Sequence, residues 1–495
     1  MYPTLEQAKT IARSGDCRRI PVSRELMADR FTPVEVMRTL RAASRHCYLL
    51  ESAERGHQWG RYSFLGYAPT HELTCTDGVL TLRSVDGAGA RAETAAEYGH
   101  PGAAIRELLE RYRSPKVEGL PPFTGGLVGY FSYDYVKYAE PTLKLAAGPG
   151  ADFRDMDLML FDKVIAFDHA RQKLILIAGA DAARLEASYA EAGETLDEMA
   201  RLLGSGARAD FKPLRLASPL SPAFPKEEFC SMVEKAKHYI REGDIFQVVL
   251  SDPLTALAEG SLFDVYRALR TENPSPYMFY FSSDDVEIAG ASPETLVKLE
   301  DGALHTFPLA GTRPRGATGE EDKRLEAELL ADEKELAEHN MLVDLGRNDI
   351  GRVSTLGSVQ VERYLSIERF SHVMHIGSTV SGRIRPDRDA VDAVDAILPA
   401  GTLSGAPKLR ACQIIQELEG RKRGIYGGAI GYLDFTGNLD TCIAIRLVYK
   451  KNGRVCVQSG AGIVADSVPD TEFHECVNKA RAVVRAMELA EEGLQ

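Results

Sequence analysis

At 495 residues, with 44% hydrophobic and 26% charged side chains, the chain has the composition of a globular protein large enough for one to three domains. A net charge of −13 argues against a nucleic-acid surface while leaving room for a local cationic pocket. No apolar run reaches membrane-spanning length and MYPTLEQAKTIARSGD has no signal-peptide core, so a cytoplasmic protein without membrane or nucleic-acid partners is expected. The scattered cysteines form no C-x-x-C, which argues against a disulfide framework and structural zinc.

In chain order, residues 1–205 mix strand-like runs (Cys47–Leu50, Arg61–Leu65), the glycine-rich GGLVGYFSYD at 125–134, and LILIAG from Leu174 leading into an Ala/Glu-rich helical stretch to Leu203. The Gly/Ser/Pro-rich segment from 204 lacks periodicity. Residues 206–225 are assigned as a linker to a second region, 226–490, where strands and helices alternate. TFPLAGTRPRG (306–316) reads either as an ordinary turn or as a loop bringing backbone N–H groups, Arg313 and Arg315 to an anion. A single helix is expected from about Glu320 to Leu345, with Leu325, Leu329, Leu336 and Val343 on one buried stripe and Glu335 and Glu338 beside it. His372 and His375 form an H-x-x-H with no further ligand cluster, so no zinc site is expected there.

GTLSGAPK (401–408) has the wrong glycine–lysine spacing for a P-loop. Arg446 falls inside the apolar run CIAIRLVY. A strand-interior Arg is costly unless paired, so it is either a structural ion pair or a fixed cation for a substrate carboxylate. Gly460–Ala461–Gly462 follows VCVQS like a dinucleotide fingerprint, but Asp466, Ser467 and Pro469 separate it from the next helix. A tight glycine turn offering N–H groups to a small anion remains. The last helix is expected to begin at an Asp470 N-cap, with Phe473, Val477, Ala480 and Val484 on its core face and Glu472 and Glu475 one turn apart.

The sequence thus offers E-x-x-E twice, each pair beside a buried face. Paired carboxylates on facing helices suit Mg²⁺, which takes oxygen ligands and bridges to anionic substrates. Ordinary readings compete: Glu472 suits the helix dipole, Glu475 and Lys479 make an i, i+4 pair, and Glu335 and Glu338 lie in an acidic run. A small dianionic substrate with a bridging Mg²⁺ would use Arg446, the glycines and the four acids together.

A series of longer motifs gives a sharper reading. LLESAERG (49–56), WGRYSFLG (59–66), GDIFQVVLS (243–251), NPSPYMFY (273–280), ASPE (291–294), FPLAGTRPRG (307–316), EHNMLVDLGRND (338–349), VMH (373–375), LPAGTLSGAPK (398–408), YGGAIGY (426–432), DTCIAIR (440–446), QSGAGIVADSVP (458–469) and NKARAV (478–483) together cover nearly the whole chain. In this order they resemble the anthranilate synthase component I branch of the chorismate-utilising enzymes.

That resemblance implies an α+β fold: a large, mostly antiparallel β-sandwich flanked by helices, with both halves of the chain contributing. It implies a Mg²⁺-dependent lyase of tryptophan biosynthesis that turns chorismate and ammonia into anthranilate and pyruvate. Isochorismate and salicylate synthases carry a water-activating Lys where this chain has Gln247. Aminodeoxychorismate synthases carry Lys where it has Ala310, and an Ala cannot act as a nucleophile.

By the same resemblance, Glu338 and Glu475 ligate Mg²⁺ with Glu335 and Glu472 close by. Gly311, Thr312, Tyr426, Arg446 and the Gly460–Ala461–Gly462 backbone hold chorismate, and His375 and Thr402 act at the ring. Ammonia adds at C2 and the C4 hydroxyl departs, with Glu294 as candidate acid if burial and neighbouring carboxylates raise its pKa. His375 then assists loss of the C2 proton and pyruvate. Leu50, Glu51 and Ser52 with Pro276, Tyr277 and Met278 form a pocket for the inhibitor L-tryptophan, Glu51 facing its ammonium and Tyr277 and Met278 its indole. The chain has no G-x-C-x-G amidotransferase segment, so a separate glutamine amidotransferase subunit is expected, in a heterotetramer of two large and two small subunits. The rivals are aminodeoxychorismate synthase component I and a non-catalytic ligand sensor on the same scaffold.

Overall fold

The computed structural model describes residues 1–52, 60–85, 91–97, 99–145, 148–150, 152–369 and 373–494. His372 and parts of the LLESAERG and WGRYSFLG motifs lie outside the described residues. Among those described, the chain builds two antiparallel sheets of 13 and 12 strands. The first runs from Arg19–Met27 through Cys47–Glu51, Tyr277–Ser282, Glu287–Ser292, Leu447–Lys451 and Arg454–Ile463 to Gln247–Glu259 and its short neighbours. The second runs from Leu309–Pro314 through Val373–Arg383, Thr295–Glu300, Leu439–Ile443, Ala429–Asp434 and Gly126–Phe131 to Arg91–Glu97. Residues 1–205 and 226–490 therefore both supply strands to each sheet. Between them, Arg215–Leu216 and Ser221–Pro222 pair with Gln247–Glu259.

The sandwich follows from strands that are apolar on both faces. In Tyr277–Ser282, Phe279 and Phe281 point between the sheets and meet Tyr48, Tyr130 and Phe161. Met278 and Tyr280 point outward, under the helices Phe263–Glu272 and Pro469–Glu492. The outer face of the second sheet packs through Ile105, Val343 and Ile397 of three other helices. Helix, sheet, sheet and helix layers result, as the resemblance implied. Each fully buried Phe or Ile contributes roughly 1.5–3 kcal/mol, so a one-residue slip that exposed a whole face would be prohibitive. Among the described residues no helix is long and apolar enough to cross a membrane.

Two helices differ from expectation. The stretch expected as one helix is two, Gly319–Ala331 and Glu333–Gly351. Asp332 between them is extended, and its carboxylate accepts the N–H groups of Lys334 and Glu335, starting a new helix instead of continuing the old one. Leu329 and Val343 are buried; Leu325 and Leu336 are half-buried. The final helix begins at Pro469 with Val468 in the cap position, while Asp470 lies in its first turn, paired with Lys226. Its buried face is Cys476, Ala480, Val483 and Met487, and Val477 is exposed. Small Cys476 and Ala480 let the helix lie close on the strand Arg454–Ile463, where the Ser459 hydroxyl donates to the Cys476 carbonyl (2.8 Å). That rotation turns Glu472 inward.

Candidate active site

The site forms where the chain passes from one sheet to the other. Leu439–Ile443 belongs to the second sheet and Leu447–Lys451 to the first, so Arg446 lies at the crossing and not inside a strand. Its φ of +49° is a left-handed conformation that a non-glycine residue adopts only when its surroundings impose it. Those surroundings are backbone bonds: Ala444 exchanges hydrogen bonds with Gly427 and Gly428 (both 2.9 Å), and the Arg446 carbonyl accepts from Ala291 (3.1 Å). Tyr426, buried, is thereby fixed beside the crossing. Burial lowers the Arg446 pKa and the charge of Glu294 partly restores it. Glu294 acts on the guanidinium through its charge, and among the described residues no contact ion pair to Arg446 is formed.

Glu294 follows Ser292 at the end of Glu287–Ser292. Its carbonyl accepts from Ile443 (2.9 Å), and its Oε2 accepts from the Thr402 hydroxyl (3.2 Å) in the short turn Gly401–Leu403. Burial raises the Glu294 pKa, opposed by Arg446, Thr402 and Lys479. The expected cause is therefore half corrected: burial acts, but the charged neighbours are cations, not carboxylates. His375, on Val373–Arg383, has Nδ1 2.7 Å from the Gly311 carbonyl and 3.2 Å from the Thr312 hydroxyl. Burial lowers its pKa, the Gly311 bond opposes this, and Arg446 lowers it further. The neutral ring thus donates Nδ1–H to Gly311, which makes Nε2 its basic nitrogen. Gly311 has φ +66°, and a side chain there would press on Leu329 and on the Glu335 carboxylate.

Gly460–Ala461–Gly462 is part of the continuous strand Arg454–Ile463, not the glycine turn expected. On one side these residues pair with Ser251, Leu250 and Val249. On the other, Leu447–Lys451 reaches only as far as Val457, so among the described residues no strand pairs with that edge of the glycine segment. The Lys479 ammonium donates to the Gly460 carbonyl on that edge (3.1 Å). A Cβ at Gly460 would lie 2.7 Å from the Leu250 carbonyl and 2.8 Å from the Tyr426 hydroxyl. Gln247 lies against Gly462, and its buried Oε1 has no hydrogen-bond partner among the described residues.

The acids expected to hold a metal lie within electrostatic reach of one another. The Glu338 pKa is raised by burial, then by Glu335, and also by Glu475; Lys479 and Lys334 oppose this. The Glu472 pKa is raised by burial and by Glu475. Glu475 is paired with Lys479 (2.7 Å) and Glu335 faces Arg313 (3.7 Å). Among the described residues no three His, Cys, Asp or Glu side chains converge on one point. The fit to a hard divalent cation rests on the donor chemistry: all-carboxylate oxygens whose mutual repulsion a cation would relieve. Sequence had shown only the Glu475–Lys479 spacing. That Lys479 also ties the acids to the glycine edge is a contact between elements that no local pattern reveals.

Arg313 and Arg315 are turned to protein carboxylates. Arg313 bonds Asp332 (2.9 Å) and Arg315 bonds Asp322 (2.8 Å), which argues against either as an anion-binding cation. Ala310 pairs with Ile376, next to His375.

The residues assigned to a tryptophan pocket also come together. Met278 pairs with Glu51, which carries Ser52 and Pro276–Tyr277 to the same end of the two strands. Tyr277 and Met278 face opposite sides of the sheet, so their side chains do not form one wall. Glu51 is already engaged by Arg270 (2.6 Å), Tyr266 and Ser63, so an incoming ammonium must displace a partner. The Ser52 hydroxyl oxygen is buried without a hydrogen-bond partner among the described residues. The Tyr277 hydroxyl reaches across the sandwich to Asp440 (2.9 Å) and Thr295 (3.0 Å), the residue after Glu294.

The model of the chorismate-binding enzyme family matches residues 98–485. The chain is 45% identical to anthranilate synthase component 1 of Acetivibrio thermocellus, over 99% of both chains. It is 46% identical to the protein of that name from Pseudomonas aeruginosa, over 96% of this chain and 97% of the other. Anthranilate synthase component I from Streptococcus pneumoniae superposes with a TM-score of 0.73 at 39% identity, covering 87% of this chain and 95% of that one. The menaquinone-specific isochorismate synthase of Escherichia coli shares the fold, with a TM-score of 0.68 at 19% identity over 98% and 99% of the two chains. The chain therefore belongs to the chorismate-binding enzymes and, within them, to the anthranilate synthase component 1 family.

Proposed function

We propose that this chain converts chorismate and ammonia to anthranilate and pyruvate in tryptophan biosynthesis, in the cytoplasm, with Mg²⁺ and under feedback inhibition by L-tryptophan. The observation that carries the reading is the assembly of Arg446, Tyr426, the Gly460–Gly462 edge, Thr402, Glu294 and His375 around one sheet crossing. That assembly occurs in a chain about 45% identical to anthranilate synthase component 1 proteins over nearly its whole length.

Arg446 and the glycine edge hold the carboxylates of chorismate, and the rigid crossing fixes their separation. Glu338 and Glu475 would hold Mg²⁺, with Glu335 and Glu472 alongside; bound there, it would supply charge neutralisation at the ring carboxylate and polarisation of the adjoining π system. Gly311, Thr312 and Tyr426 line the remaining wall. Glu294, whose pKa burial raises, donates its proton to the departing C4 hydroxyl as ammonia adds at C2, and Thr402 orients its carboxyl group. His375, neutral and tethered through Nδ1, takes the C2 proton as pyruvate leaves. Gln247 has no base to offer a water molecule and Ala310 no nucleophile, which favours direct attack by ammonia. A separate glutamine amidotransferase subunit supplies that ammonia in a heterotetramer. L-tryptophan binds at Ser52, Pro276, Tyr277 and Met278.

The test is fluorescence of the purified chain with chorismate, Mg²⁺ and ammonium at alkaline pH. Anthranilate is the expected product, formed more slowly when tryptophan is added. Aminodeoxychorismate without anthranilate would move the chain to the other amination branch, and no chorismate turnover would refute the reading.

A further inference from the structure

Beneath the site lies a buried ion pair that the chemistry above does not use. Glu419 closes the helix Lys408–Glu419, and Arg423 follows four residues later, after a left-handed Gly420. Both side chains are sealed from solvent. Arg423 donates Nε–H to Glu419 Oε2 (2.9 Å) and a second N–H to Glu419 Oε1 (2.5 Å). It also donates to the carbonyls of Leu403 and Val249 (both 2.7 Å). Its guanidinium lies over the rings of Tyr133 (4.7 Å) and Tyr426 (5.9 Å). Glu419 Oε1 in turn accepts from the Ser251 N–H (2.8 Å) and hydroxyl (3.0 Å).

The partners of this pair are informative. Leu403 follows Thr402. Val249 and Ser251 are the strand partners of Gly462 and Gly460. Tyr426 is the aromatic wall. One guanidinium and one carboxylate therefore reach three separate site elements: the Thr402 turn through Leu403, the glycine edge through its strand partners Val249 and Ser251, and the Tyr426 ring. A buried charge pair costs several kcal/mol of desolvation and an apolar pair would fill this space more cheaply, so its presence calls for a geometric reason. The planar fork of Arg spans several acceptors in fixed directions, and Lys cannot reproduce it.

We propose that Arg423 and Glu419 are positioning residues that set the Thr402 turn, the Gly460–Gly462 edge and Tyr426 in register around chorismate. The inference rests on the reading that those three elements contact chorismate. Arg423→Lys keeps the cation and its attraction to Glu419 but cannot bond Leu403, Val249 and both Glu419 oxygens together. Steady-state anthranilate formation by Arg423→Lys and by the unmodified chain should be compared with the unfolding midpoint and Mg²⁺ affinity by calorimetry. In folded protein, kcat/KM for chorismate is expected to fall about 100-fold, with KM raised and kcat lowered together. Mg²⁺ affinity should stay within about twofold, because its ligands lie on other helices. Simple loss of folded enzyme would lower kcat in proportion to the unfolded fraction and leave KM unchanged, and that pattern would overturn the proposal. Should Arg423→Lys fail to fold, Glu419→Gln keeps the fork's bonds to Leu403 and Val249 and is expected to raise KM by a smaller factor; unaltered kinetics in it would equally overturn the proposal. Failure of the unmodified chain to make anthranilate would instead refute the proposed function.

Discussion

Gly460→Ala is the sharpest single perturbation of the glycine edge. The added methyl would stand 2.7 Å from the Leu250 carbonyl and 2.8 Å from the Tyr426 hydroxyl, closer than real Cβ atoms approach such groups. Relief to about 3.2 Å requires a shift of roughly 0.5 Å, in the range where core overpacking costs about 1–3 kcal/mol. The two neighbours respond differently. Leu250 is locked in the ladder opposite Ala461, so its carbonyl moves only with the strand, whereas the Tyr426 ring can swing. The displaced groups are a substrate wall and the edge itself. A misplacement of about 1 Å costs about 100-fold in rate, so half of it should cost kcat/KM for chorismate about tenfold. The assay is initial-rate anthranilate fluorescence at saturating Mg²⁺ and ammonium, with chorismate varied. In a Tyr426→Phe background the clash with the hydroxyl is absent, so the penalty of Gly460→Ala should shrink measurably. Gly460→Ala with unchanged kcat/KM, or the same penalty in both backgrounds, would refute this account of the edge.

Other outcomes follow from the same geometry. Burial raises the Glu294 pKa above its ordinary 4.5, so the folded state binds this proton more tightly than the unfolded chain and loses stability as pH rises from about 4.5 through the raised value. Glu294→Gln should therefore gain stability relative to the unmodified chain across that window in urea titrations at stepped pH, while turnover collapses; a pH-independent stability difference would exclude the buried acid. Glu338→Gln and Glu475→Gln should each weaken Mg²⁺ binding at least about tenfold by calorimetry, and Mg²⁺ should raise the unfolding midpoint of the unmodified chain more than that of either variant. Asp332→Ala removes the cap that divides two helices and should cost about 1 kcal/mol in urea unfolding. Ser52→Phe should abolish tryptophan inhibition with chorismate turnover retained; undiminished sensitivity would remove that residue from the inhibitor pocket.

Much of this was legible from sequence because it resides in strings. The β-sandwich and helices followed from the motif series, and Glu294, His375, Thr402 and Arg446 stand in segments whose order is specific. Geometry that depends on more than one segment was not legible. Arg446 lies in an apolar run that reads as one strand, yet the chain changes sheets there, and bonds from other segments, those of Ala444 with Gly427 and Gly428 and of Ala291 with the Arg446 carbonyl, enforce the break. The Gly460 segment reads as a turn because glycine favours turns, but it is a strand whose glycines admit close neighbours on both sides. A periodic leucine stripe hid the Asp332 cap, since one carboxylate outweighs continued helix propensity. Glu51 reads as free for an ammonium until the fold brings Arg270 from a distant helix onto it.

The central claim is that this chain itself delivers ammonia nitrogen to the chorismate ring. Mass spectrometry of the product made by the purified chain from chorismate, Mg²⁺ and ¹⁵N-ammonium tests it most directly. Anthranilate heavier by about one mass unit, with pyruvate in equal amount, is the result expected from direct attack by ammonia. A ring product carrying solvent oxygen in place of the labelled nitrogen would contradict it.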